Sequence, residues 1–142
     1  MTAGTYLDTS VVAAYYVSES FSTQAQAIYE TQAALAISDF VELEFFSALS
    51  SVCRGDLERS HVERVAGLFL EHLAGGWYTR IHLNAEHYSA ARRFIATFDL
   101  PLKSPDALHL AVSTAEDLSL VTADRQLARN AETLGITFQL VG

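Results

Sequence analysis

The chain carries a single cysteine, Cys53, among its 142 residues. That excludes an internal disulfide framework and any multi-cysteine zinc or iron–sulfur centre, and it points to a reducing, cytoplasmic setting. Proline is nearly as scarce: Pro101 and Pro105 are the only two, and they share one short stretch. No linker rich in proline, glycine and serine divides the sequence, and no internal repeat or low-complexity tract is present. Positive charge is also short. Nine Lys and Arg against 17 Asp and Glu give a net charge of −8. This excludes a general polyanion binder held by a basic surface, because the mean field repels phosphates. Nucleic acid stays open as a substrate where cations fill a local acidic site. No run approaches the roughly 18–20 apolar residues of a membrane span. The opening Met1-Thr2-Ala3-Gly4-Thr5 has neither the basic start nor the apolar run of a secretory leader. No membrane association is expected.

What the chain has is core material. Half its residues are hydrophobic and only 18% are charged, enough for one folded domain spanning residues 1–142. Short apolar runs alternate with longer segments of helical period. Thr5–Asp8, Ala34–Ile37, Thr79–Leu83, Ser119–Thr122 and Thr137–Val141 read as strands. Between them lie helix signals. Ser60 and Glu63 are spaced as a capping box. Ser104 precedes Pro105 as a cap before a first-turn proline. Asn84 suits the start of a helix running to about Phe98, and Gly55 and Gly135 suit left-handed residues after helices. Strands alternating with helices predict an α/β fold, a mostly parallel sheet of about five strands covered on both faces.

In such sheets ligands bind beyond the carboxyl ends of the strands. Asp8 closes the first strand and Asp124 the fourth, Asp106 lies in the first turn after Ser104-Pro105, and Glu44 lies two turns into the helix after the second strand. Asp106 and Asp124 also have a plain structural reading as helix caps and dipole partners. Asp8 is harder to explain that way, because a buried carboxylate needs a cation or hydrogen-bond donors. Several carboxylates at one sheet edge suit a hard cation, Mg²⁺ or Mn²⁺, and no His-x-x-x-His pairing competes for zinc. Along the helix after the second strand, Val41, Phe45, Ala48, Leu49 and Val52 form the apolar stripe. Glu42 falls nearer its middle and Glu44 at its edge. Periodicity leaves both open and leans toward Glu42. Asp39, after Ser38, reads as a first-turn dipole partner.

Taken together, Tyr6-Leu7-Asp8-Thr9-Ser10 with Val11–Glu19, Ser38 and Glu44 with Ser47-Ala48-Leu49 and Arg54-Gly55-Asp56-Leu57, Ser104-Pro105-Asp106-Ala107-Leu108-His109-Leu110-Ala111, and Leu120-Val121-Thr122-Ala123-Asp124 with Ala131 and Leu134-Gly135-Ile136 resemble PIN-domain ribonucleases. Within that family the chain is similar to VapC-type toxins of toxin–antitoxin pairs. The matches run in the family's order over nearly the whole chain, and they favour Glu44 over Glu42. The resemblance implies a PIN-like three-layer α/β/α sandwich and Mg²⁺- or Mn²⁺-dependent cleavage of RNA, with Asp8, Glu44, Asp106 and Asp124 as catalytic metal ligands. It also implies a homodimer silenced by a VapB-type antitoxin.

Thr9, Ser10 and Thr122 offer hydroxyls beside the acids, to orient a carboxylate or a water, or to make ordinary strand-end and cap bonds. His109 lies one turn after Asp106. Its plainer reading is a packed helix histidine bonded to backbone, against a role beside the site. Lys103 and Arg125 flank Asp106 and Asp124 as candidates for RNA phosphate contact, or are simply solvated cations. Among other classes, a non-catalytic PIN-fold module acting through protein partners is disfavoured by retention of all four acids. An aspartyl phosphatase is disfavoured by Ser10, which stands where a second acid is wanted.

Overall fold

The computed structural model describes residues 4–17, 20–55 and 57–142. Met1–Ala3, Glu19 and Asp56, which entered the sequence reading, lie outside the described residues. Among the described residues, five strands are separated by one or two helices each, seven helices in all: β1 (Gly4–Leu7), α1 (Thr9–Tyr16), α2 (Ser22–Thr31), β2 (Leu35–Ser38), α3 (Asp39–Arg54), α4 (Arg59–Ala74), β3 (Thr79–Ile81), α5 (Ala85–Ile95), α6 (Ser104–Ala115), β4 (Leu118–Thr122), α7 (Arg125–Thr133) and β5 (Phe138–Leu140).

The strands form one sheet in the order β3-β2-β1-β4-β5, and every pairing is parallel. Parallel neighbours need crossover helices, and those helices cover both faces to make a three-layer α/β/α sandwich. β1 is central, between β2 and β4, and Tyr6 and Leu7 have no exposure. The main core joins Tyr6, Leu7, Ile37 and Leu120 of the sheet to Val11, Val41, Phe45, Phe69, Leu110 and Leu127 of the helices. A smaller cluster, Ala91, Ala107, Leu108 and Ala111 with Phe40 and Phe94 against it, sets α5 on α6.

Four local expectations shift. α4 starts at Arg59 with Glu58 at the cap position and no side-chain cap. The start two residues earlier moves Ser60 inside the first turn, and Glu63 pairs with Arg59 at 2.8 Å instead. α6 likewise begins one residue early: the Lys103 carbonyl takes the Ala107 N–H at 2.9 Å, so Ser104 is the first helical residue and no side chain caps the end. Gly55 sits at φ −105°, outside the left-handed region, whereas Gly135 is left-handed at φ +72° as expected. Asn84 does cap α5, accepting from the Glu86 and His87 N–H groups, but the helix ends at Ile95, short of Phe98.

Candidate active site

Asp8, Glu44 and Asp124 lie at or beyond the carboxyl ends of β1, β2 and β4, and Asp106 lies in the first turn of α6, where the charges of the other three reach it. Alternation along β1 puts Tyr6 and Asp8 on the same face. Asp8 follows the strand and is the N-cap of α1, accepting from Val11 N–H at 3.2 Å. It is 3% exposed. Its two oxygens are held separately. Ser10 Oγ donates to Oδ1 at 2.6 Å, and Thr122 Oγ1, from the end of β4, donates to Oδ2 at 2.5 Å. Burial pushes the Asp8 carboxyl above its ordinary value, against the lowering pull of His109 and the two hydroxyls.

Glu44 stands two turns into α3. Thr9 Oγ1 donates to its Oε1 at 2.6 Å, and His109 Nε2 lies 2.8 Å from the same oxygen. Burial alone would raise its carboxyl, but the hydrogen bonds from His109 and Thr9 outweigh burial and carry it below the ordinary range. Asp106, half-buried in the first turn of α6, is raised by burial first and then by the negative charges of Asp124, Asp8 and Glu44. Asp124 is exposed and caps α7, accepting through Oδ1 from Gln126 N–H at 2.8 Å and Leu127 N–H at 3.2 Å. The structural reading of Asp124 as a cap therefore holds, and its other oxygen, Oδ2, takes no part in the cap.

The donor set is carboxylate oxygen throughout, and burial first, then the negative charges of its neighbours, raise Asp106. Hard divalent cations suit that chemistry. Among the described residues no three His, Cys, Asp or Glu side chains stand grouped as ligands of one ion; Glu44 is drawn toward Thr9 and His109.

A family model for the PIN domain matches residues 5–133. The chain belongs to the PIN domain family. Solved structures share the PIN fold over nearly its whole length. VapC20 from Mycobacterium tuberculosis, a sarcin–ricin loop cleaving toxin, is 17% identical with a TM-score of 0.72, over 94% of this chain and 96% of that one. VapBC2 from Rickettsia felis, bound to a DNA fragment from its promoter, is 18% identical with a TM-score of 0.65, over 96% and 97%. DNA-bound VapBC from Salmonella typhimurium is 13% identical with a TM-score of 0.66, over 98% of each. At these identities the likeness is one of fold. No curated protein sequence matches.

In this PIN domain Glu42 is drawn away from the acid cluster. Arg80 of β3 grips it with two bonds, Nε to Oε2 at 3.0 Å and Nη2 to Oε1 at 2.8 Å. Asp39 accepts from the Leu83 N–H at 3.2 Å and lies 3.5 Å from His82. The expectation of a backbone-bonded His109 is overturned: its ring bonds Glu44 on one side and the Tyr6 hydroxyl on the other, because α6 lays it across the ends of β1 and α3. Thr9, Ser10 and Thr122 all bond site carboxylates. Lys103 and Arg125 are exposed at the starts of α6 and α7. Tyr6 was given no part by sequence reasoning; its position two residues before Asp8 on a buried strand was the available signal.

Proposed function

We propose that this PIN domain, as one unit over residues 1–142, is a divalent-metal-dependent endoribonuclease. The observation that carries the reading is electrostatic: after burial itself, the charges of Asp124, Asp8 and Glu44 each push up the half-buried Asp106 carboxyl, and their places at or beyond the carboxyl ends of β1, β2 and β4 support one shared acidic site. Those four side chains would hold Mg²⁺ or Mn²⁺. The chemistry such an ion supplies is a lowered pKa for the attacking water and a counter-charge for the scissile phosphate. Ser10 and Thr122 fix both oxygens of Asp8, and Thr9 and His109 fix one oxygen of Glu44. The acids are thereby set before substrate arrives. Lys103 and Arg125, next in the chain to the two helix-start acids or near them, are assigned to RNA phosphates.

The reading extends to a toxin of a toxin–antitoxin pair: a cytoplasmic homodimer restrained by a VapB-type antitoxin. The shared fold with VapC20 and with the VapBC assemblies supports it. A net charge of −8 is compatible with a basic inhibitory segment. The deciding experiment incubates antitoxin-free protein with a total-RNA or transfer-RNA pool, with Mn²⁺ or Mg²⁺, with EDTA, and with Asp8→Asn as the contamination control. Discrete fragments that require both metal and Asp8 are expected. Intact RNA from folded protein that binds no metal would overturn the reading in favour of a non-catalytic module.

A further inference from the structure

Behind Glu44 runs a buried hydrogen-bond chain that the cleavage chemistry does not by itself call for. Ser38 Oγ lies 2.9 Å from Tyr6 Oη, Tyr6 Oη lies 2.8 Å from His109 Nδ1, and His109 Nε2 lies 2.8 Å from Glu44 Oε1. Ser38 and Tyr6 have no exposure and His109 only 4%. The chain joins β2, β1, α6 and α3. Ring contacts fix the imidazole further: Tyr6 and Phe40 stand with ring centroids 5.8 and 5.6 Å from it.

The direction of the protons follows from the partners. Ser38 Oγ already accepts the Val41 N–H at 3.1 Å, as the N-cap of α3, so its own proton is free to go to Tyr6 Oη. The Tyr6 hydroxyl carries one proton of its own, which the bond accepted from Ser38 leaves free to donate. With Tyr6 donating, that proton goes to His109 Nδ1, and Nε2–H donates to the Glu44 carboxylate. The reverse direction fails on two counts. It leaves the Ser38 proton without an acceptor among the bonds found there, and a neutral ring with its proton on Nδ1 would aim the Nε2 lone pair at a carboxylate.

We infer that Tyr6 is a positioning residue for Glu44: it holds His109 in the Nε2–H form and the orientation that aims the Glu44 carboxylate. Outer hydrogen bonds of this kind set the orientation and tautomer of a group that faces a metal site. The inference rests on the metal-site reading of Glu44 given above, and it goes beyond it by adding a residue that touches no acid of the cluster.

Two measurements test it. In metal-free protein, long-range ¹⁵N–¹H spectra of histidine-labelled material at neutral pH are expected to show His109 protonated on Nε2 and bare on Nδ1. A ring protonated on Nδ1 would overturn the inference. The second is a double-mutant cycle read by Mn²⁺ affinity from the electron paramagnetic resonance of free Mn²⁺. Tyr6→Phe is expected to weaken binding about 10-fold, and His109→Leu by a similar factor. Tyr6→Phe should then add little in the His109→Leu background, because its effect passes through the ring. An equal Tyr6→Phe loss in both backgrounds, or a lowered melting temperature with unchanged Mn²⁺ affinity, would reduce Tyr6 to a packing residue. His109→Gln, which keeps an N–H toward Glu44, should recover part of the affinity. If Mn²⁺ does not bind even the wild type, or binds Asp8→Asn and Asp106→Asn as well as the wild type, the metal reading fails instead, and the histidine spectrum still decides the proton chain.

Discussion

At Asp8 the structure stores a cost and shows what lowers it. The carboxylate is buried, and its charge is supported by two hydroxyls and one backbone N–H. Those donors leave its carboxyl above the ordinary value, so ionised Asp8 opposes folding in the metal-free state. Asp8→Asn is therefore expected to abolish RNA cleavage while raising the melting temperature of the metal-free protein by a few degrees at neutral pH, measured by scanning calorimetry. The two glutamates of α3 make a second pair of expectations. Glu44→Gln should lower cleavage by at least the roughly 10–100-fold typical of disturbing the partners of metal ligands. Glu42→Gln only breaks the pair with Arg80; it should leave cleavage unchanged and cost at most about 1 kcal/mol of stability in urea unfolding.

At the scale of elements, helix starts supply polar residues to the proposed site. Asp8, Ser38 and Asp124 are all N-caps, so the positions that end strands β1, β2 and β4 also start α1, α3 and α7. A parallel sheet forces this coincidence, because every strand's carboxyl end feeds a crossover helix on the same side of the molecule. Caps away from the site separate stability from function. Asn84 accepts from two N–H groups, and the His87 ring accepts the Asn84 N–H in return. Asn84→Ala should cost about 1 kcal/mol. Ser60→Ala, at a residue that matched a capping pattern but caps nothing, should stay within about 0.5 kcal/mol. Urea midpoints for the two variants check both values. The pattern misled at Ser60 because the spacing Ser-x-x-Glu is equally satisfied two positions inside the cap, where Glu63 meets Arg59.

Charge balance acts on the whole molecule. With Asp8 and Asp106 raised in the folded state, the native protein binds protons above the ordinary carboxylate range that the unfolded chain does not. Their contribution to the stability of metal-free protein therefore grows as pH falls from neutral through the raised values, and stops growing below the unfolded value. Glu44 works in the opposite sense: its lowered carboxyl adds stability above the unfolded value that is lost as pH falls through the folded one. The expected curve rises from neutral to mildly acidic pH and then declines. Saturating Mg²⁺ or Mn²⁺ should raise the melting temperature at neutral pH and remove the rise toward acid, since a ligand of the folded state stabilises by mass action. A melting temperature that only falls below pH 7, and ignores both ions, would contradict the assignment of the acids.

Much of this protein was decided by local sequence. Alternating apolar runs and helical segments specify the parallel α/β sandwich, because strands buried on both faces must be apolar and must be joined by crossovers. The positions of Asp8, Asp106 and Asp124 stood out for the same reason: each lies at the junction of a strand or loop with a helix, and such junctions are marked by residue type. Glu44 was not legible from periodicity. A period of 3.6 residues sets Glu42 and Glu44 on opposite flanks of the apolar stripe, at similar angles from its middle, and only contacts between distant segments tell them apart: Arg80 from β3 takes Glu42, while Thr9 from α1 and His109 from α6 take Glu44. The proton chain from Ser38 through Tyr6 to His109 was equally out of reach. Its links span 32, 103 and 65 residues of sequence, and no local pattern encodes a hydrogen bond whose partners meet only when the sheet has closed.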